Sequence, residues 1–158
     1  ETGSGQGMKI LVVNGPNLQL LGTRQPELYG RETLAEIEAR LRRTAAALKV
    51  GIEFRQSNHE GELVEIIGAA PAGGFAGIII NPAAYTHTSV ALRDALAAAG
   101  LPALEVHLTN LYRREEFRQR SLTAAACRGQ ICGLGGRGYD WALRALVEIL
   151  RDAPTSEA

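Results

Sequence analysis

The sequence predicts a doubly wound α/β fold, a five-stranded parallel sheet in the flavodoxin-like order 2-1-3-4-5. Two observations carry that expectation. Short apolar runs alternate with segments of helical period five times along the 158 residues. The runs are continuous rather than alternating, as at residues 75–80, which suits strands buried on both faces. The connections are also long enough for right-handed crossovers.

Each element has its own local reason. Residues 10–13, Ile-Leu-Val-Val, read as a buried first strand. Residues 14–30 then show neither helical nor strand period and are punctuated by Gly15, Pro16, Gly22, Pro26 and Gly30. So long a loop in a compact domain suits a lid or binding segment, and this one carries Arg24 and Tyr29. Residues 33–49 form a helix, opened by a capping box between Thr33 and Glu36, with Leu34, Ile37, Leu41, Ala45 and Leu48 on one face.

Gly51 ends that helix and residues 52–56 make the second strand. The polar turn Ser57-Asn58-His59 leads to a helix carrying Leu63, Val64, Ile66 and Ile67, which stops at Pro71. Residues 75–80 are the third strand, 81–87 a loop and 88–99 a helix. The fourth strand covers 102–106, a short charged helix 113–120, the fifth strand 129–133 and the last helix 139–151.

Length and composition bound the function. A chain of 158 residues is a usual size for one domain with a real core. With 17 basic and 17 acidic residues, no strong field draws in nucleic acid or an anionic membrane. No apolar run approaches the roughly 18 residues of a membrane helix, and no secretory signal is expected. Met8 is the only methionine, so residues 1–7 read as an extension ahead of the native start. Residues 8–152 read as a single catalytic domain and 153–158 as a disordered polar tail. Cys127 and Cys132 suggest neither a disulfide framework nor a zinc ribbon and read as buried thiols in a reducing cytoplasm.

In a doubly wound sheet, ligands bind beyond the carboxyl ends of the strands. Those ends carry Asn14 and Asn17, Ser57-Asn58-His59, Asn81, and His107-Leu108-Thr109-Asn110, with His87 starting the helix after strand three. All three histidines therefore fall near one rim. Any one of the three asparagines taken alone reads as a turn-closing amide. His59 reads as stabilising its turn, and His87 either as a helix-start residue bonded to backbone or as a site residue. His107 points to function, because Glu105 lies two residues back on the same strand face and can fix the imidazole tautomer.

Tyr85, Tyr112 and Tyr139 read as packing residues with a polar tip. Tyr29 has few apolar neighbours in its loop, and a phenol serves as a base only where cations favour its anion. Arg24 is a candidate, and a second arginine is required if one cation does not suffice. Gly133-Leu-Gly-Gly-Arg-Gly138 matches a dinucleotide fingerprint, but no later strand follows to supply the ribose-binding acid. It reads as a tight turn feeding the last helix.

Taken together, these motifs resemble type II 3-dehydroquinate dehydratase over nearly all of residues 8–151. The carriers are Asn14-Gly-Pro-Asn-Leu18, Leu21-Gly-Thr-Arg-Gln-Pro26 through Tyr29-Gly30, and Gln56-Ser-Asn-His-Glu-Gly61. They continue in Asn81-Pro-Ala-Ala-Tyr-Thr-His-Thr-Ser89, Glu105-Val-His107, Arg114-Glu-Glu-Phe-Arg118 and Gly133-Leu-Gly-Gly-Arg-Gly-Tyr139. Gln25 and Leu122 depart from residues common in the family and touch no catalytic position.

The resemblance implies dehydration of 3-dehydroquinate to 3-dehydroshikimate through an enolate, with no cofactor and no metal. It implies Tyr29 as base, Arg24 as its partner, Asn17 as holder of a water on the enolate oxygen, and His107 as acid oriented by Glu105. Asn81, His87 and Arg118 would bind ring hydroxyls, and the amides of Leu108 and Thr109 the carboxylate. The segment around residues 18–30 would close as a lid.

Asp94 is also a ligand position in the family. Six residues into its helix, it lies roughly 9 Å down the axis and serves a neighbouring subunit's site more readily than its own. The family assembles trimers into dodecamers, so a homo-oligomer is expected as well. Two other classes fit less well. A zinc lyase or hydrolase built on His59, His87 and His107 lacks any short His spacing. A receiver module lacks aspartates at strand ends, since Asp94, Asp140 and Asp152 all lie on or after helices.

Overall fold

The apolar runs and helical segments do assemble as a doubly wound sheet. In this computed structural model, which describes residues 7–152, five parallel strands stand in the order 2-1-3-4-5. The expected extension, apart from Gly7, and the expected tail lie outside the described residues. The strands are β1 (Lys9–Asn14), β2 (Gly51–Gln56), β3 (Gly77–Asn81), β4 (Ala103–His107) and β5 (Gly129–Cys132). Five helices accompany them: α1 (Pro26–Tyr29), α2 (Leu34–Leu48), α3 (Glu60–Gly68), α4 (Val90–Ala99) and α5 (Arg137–Asp152).

Side-chain alternation explains the two layers. Ile10 and Val12 of β1, Ile79 of β3 and Val106 of β4 pack under α2 and α5. Leu11, Val13, Ile78 and Ile80 face the opposite way, under α3 and α4. Because both faces are covered, β1 and β3 read as continuous apolar runs. Each fully buried Ile or Leu contributes about 1.5–3 kcal/mol. The edge strand β2 alternates exposed with half-buried residues, the pattern of a strand with less to cover.

α2 begins where its capping box requires. The Thr33 hydroxyl accepts from the Glu36 N–H at 3.1 Å, and the Glu36 carboxylate accepts from the Thr33 N–H at 3.4 Å. Among the described residues, no helix is long and apolar enough to cross a membrane.

Register brings the polar strand ends level. Asn14 pairs with both Gln56 and Asn81, and His107 with Cys132, so these residues share the carboxyl edge of the sheet.

Several local expectations need correction. The stretch at residues 14–30 is not without regular structure: it holds a 3₁₀ turn at Leu18–Leu20 and the one-turn helix α1. The charged segment 113–120 is two 3₁₀ turns, Leu111–Arg113 and Glu116–Arg118, rather than one helix. Asn110 caps the first turn by accepting from the Tyr112 N–H, Arg114 then turns extended, and the segment has no apolar face to bury as a helix.

Tyr112 is exposed rather than packed. The two free cysteines are half-buried rather than buried. Burial, with the Glu105 carboxylate adding to it, pushes the Cys127 thiol up to about 12 and the Cys132 thiol to about 11. Both stay thiols near neutral pH.

Candidate active site

The cleft over the carboxyl edge is lined by Asn17, Arg24, Tyr29, Asn81, His87, His107, Leu108, Thr109 and Arg118, together with apolar residues such as Leu18 and Leu111. Nine of the expected site residues therefore converge. Glu105 stands behind them, Asp94 is exposed on α4 outside this cleft, and His59 is exposed and lines no part of it. His59 does not hold its own turn either; the Ser57 hydroxyl does, accepting from the His59 N–H at 3.0 Å.

At one side of the cleft the histidine and its carboxylate are fixed by the sheet. His107 is 5% exposed and Glu105 is 0% exposed, adjacent on the same face of β4. His107 Nε2 donates to Glu105 Oε2 at 3.0 Å, which leaves Nδ1 for the cleft. The same carboxylate accepts from Ser121 at 2.8 Å, from Gln130 at 2.7 Å, from Thr86 at 3.3 Å and from Thr123. Burial pushes the Glu105 carboxyl up. The bonds from His107, Thr123 and Ser121 together outweigh burial and hold it below the usual carboxylate range. A carboxylate with that many donors keeps its charge and its place.

His87 is held differently. Its Nδ1 donates to the backbone carbonyl of Arg120 at 2.7 Å, so Nε2 carries the lone pair. Burial pushes its imidazole below the ordinary histidine value, the Arg120 carbonyl opposes this, and His107 and Arg118 add to it. A neutral ring facing the cleft accepts a hydrogen bond rather than donating one. His87 ends a 3₁₀ turn, Ala83–His87, instead of starting α4, whose N-cap is Ser89; it is bonded to backbone as expected, and it lines the cleft.

Across the cleft, Tyr29 is half-buried at the end of α1, a helix that buries none of its residues. Two guanidinium carbons flank its ring, Arg24 at 5.3 Å and Arg114 at 5.2 Å from the centroid. Arg114 stands as a second cation beside the ring, and sequence reasoning did not name it as a site residue. The signal was the Arg114-Glu-Glu-Phe-Arg118 motif, whose Arg118 is held by Glu115 at 2.8 Å.

The Leu108 and Thr109 N–H groups follow β4 and, among the described residues, have no protein partner. The glycine-rich turn braces this corner, since the Gly133 N–H bonds the His107 carbonyl at 3.1 Å and the Gly135 N–H that of Leu108 at 3.0 Å. A side chain at Gly136 would overlap Glu32 and Ile37. These glycines serve packing and a tight turn, as expected. Among the described residues no three His, Cys, Asp or Glu side chains cluster to hold a metal ion.

Comparison with known proteins agrees with this geometry. The family model described as "Dehydroquinase class II" matches residues 8–147. The chain is 59% identical to 3-dehydroquinate dehydratase 1 of Ralstonia nicotianae, over 87% of this chain and 88% of that one. It is 58% identical to the 3-dehydroquinate dehydratase of Geotalea daltonii, covering 91% of this chain and 99% of the other. Among solved structures, the type II dehydroquinase from Butyrivibrio crossotus superposes with a TM-score of 0.88 at 45% identity, covering 90% of this chain and 99% of that one. A family model spanning most of the chain, relatives of this identity and a shared fold place it: the chain belongs to the class II dehydroquinase family.

Proposed function

We propose that this cleft dehydrates 3-dehydroquinate to 3-dehydroshikimate by anti elimination through an enolate, within the single domain of residues 8–152. Tyr29 takes the proton alpha to the ketone, and the electron pair moves onto the carbonyl oxygen. Arg24 and Arg114, both against the Tyr29 ring, favour the phenolate that takes the proton and stabilise the transition state in which its charge passes to the carbonyl oxygen. Asn17 holds a water on the enolate oxygen. The enolate then collapses, the bond to the beta hydroxyl breaks, and His107 supplies the proton with which it leaves as water.

Glu105 orients His107 and balances its charge. Asn81, His87 and Arg118 bind ring hydroxyls, and the N–H groups of Leu108 and Thr109 receive the carboxylate. The lid around residues 18–30 closes to exclude water. The observation that carries this reading is the pairing of a cation-flanked phenol with a carboxylate-held imidazole in one cleft.

The two lysines support the enolate over a Schiff base. Lys9 Nζ bonds the Gly73 carbonyl at 2.9 Å and lies 4.2 Å from the centroid of the Phe75 ring, at the amino edge of the sheet. Lys49 caps the far end of α2, and neither lysine lines the cleft. On adding 3-dehydroquinate without metal or nucleotide, the absorbance of a conjugated enone should appear. Borohydride added with substrate should leave activity intact and add no mass. Absence of the enone overturns the activity, and a stable lysine adduct overturns the mechanism.

The working form is a homo-oligomer of trimers assembled into a dodecamer, in the cytoplasm. Asp94, exposed on α4 and outside its own cleft, meets the ligand in a neighbouring subunit's site. Light scattering should therefore report a closed assembly of about twelve chains, and Asp94→Ala should weaken substrate binding without dissociating it. A fully active monomer would refute the shared site.

A further inference from the structure

We infer that Tyr139 is a positioning residue whose buried hydroxyl, with the Ala83 N–H on the other side, holds the Asn81 amide in one direction, so that Asn81 offers the cleft an N–H and selects a ring oxygen that accepts. The inference rests on the reading that Asn81 meets a ring hydroxyl. It goes further by assigning the polarity of that contact and a buried residue that helps to hold it.

The direction comes from a chain of bonds with fixed ends. The Arg55 carbonyl can only accept, and it takes a hydrogen bond from Asn14 Nδ2 at 3.0 Å. Asn14 Oδ1 must therefore face the other way, where it accepts from the Tyr139 hydroxyl at 2.6 Å. With its one proton committed, the Tyr139 oxygen is left as an acceptor and takes Asn81 Nδ2 at 2.9 Å. At the far end the Ala83 N–H can only donate, and Asn81 Oδ1 accepts it at 3.1 Å.

Two backbone groups of fixed sense therefore orient both amides. Asn81 Oδ1 is occupied, while Nδ2 keeps one proton with no protein partner among the described residues. Asn81 lines the cleft, so that proton is the group it can present to a ligand.

The chain is also built to stay in one state. Tyr139 and Asn14 are 0% exposed and Asn81 is 2% exposed, so water cannot replace a lost partner. Burial pushes the Tyr139 phenol up, well above its ordinary value, and the Asn81 bond opposes it only in part, so the hydroxyl remains a donor. The Ala83 backbone adopts φ 53°, a left-handed conformation unusual for a side-chain-bearing residue, and its N–H is tied to Asn81.

The test uses 3-dehydroshikimate and its two single ring-deoxy forms as ligands for the full chain. In the unmodified protein, deleting the hydroxyl that faces Asn81 should weaken binding about tenfold. In Asn81→Ala and in Tyr139→Phe that cost should vanish, while the cost of deleting the other hydroxyl stays. Asn14→Leu breaks the same chain one step back and should give the same selective loss, whether or not Tyr139→Phe folds.

A uniform weakening of all three ligands in Tyr139→Phe or Asn14→Leu, with a selective loss in Asn81→Ala, would overturn the positioning role alone. Both deletion costs surviving in Asn81→Ala would overturn the Asn81 contact itself, and the inference with it.

Discussion

Tyr29→Phe lowers kcat by about 10²–10⁴-fold, the range a positioned general base supplies, and leaves the affinity for 3-dehydroshikimate within a few fold. The phenylalanine ring keeps the shape that Arg24 and Arg114 flank, so the lid segment loses one oxygen and little packing. On the proposed mechanism, what disappears is the atom that receives the alpha proton, and that atom matters only as the transition state forms. Steady-state rates with equilibrium binding of the product separate the two effects. A kcat within tenfold of the unmodified enzyme would remove Tyr29 from the role of base.

His107→Ala lowers kcat by about 10²–10³-fold, the scale of general acid catalysis, and the loss shrinks for a substrate whose leaving group departs without protonation. An equal loss with both substrates would show that His107 acts before the bond breaks. The same substitution also strands Glu105, a fully buried carboxylate that keeps Ser121, Thr123 and Gln130 as donors but loses the imidazole that helped to hold its charge. The carboxyl should then rise toward neutrality. Stability above the usual carboxylate range should fall, because a depressed folded value contributes there and the contribution is lost as that value returns to normal. Melting temperature measured against pH, beside the rates, keeps the structural loss apart from the catalytic one.

Legibility in the sequence followed the range of the interactions. The sheet order, the capping box of α2 and the pairing of Glu105 with His107 all depend on spacings of a few residues or on apolar runs. Patterns of that length survive in one dimension. Arg114 did not, because its partner Tyr29 is 85 positions away and only folding puts the guanidinium against the ring. The donors around Glu105 were missed for the same reason: Ser121, Thr123 and Gln130 come from the loop and strand after β4. Tyr139 read as packing, and it is fully buried; its tie to Asn14 spans 125 positions. Tyr112 read the same way and is exposed, since periodicity in so short a turn does not say which face meets the core.

The division of the machinery between a sheet and a loop has one more consequence. His107 and Glu105 lie side by side on a strand with neighbours on both faces, while Tyr29 ends a helix that buries none of its residues. On the proposed mechanism the acid is held by the sheet, while the base rides on the segment around residues 18–30 and depends on where that segment stands. Replacing the abstracted hydrogen by deuterium should slow only the step proposed for Tyr29. The size of that isotope effect then becomes a clock for the segment: small when its arrival sets the pace, and larger as faster arrival leaves proton removal as the slow event.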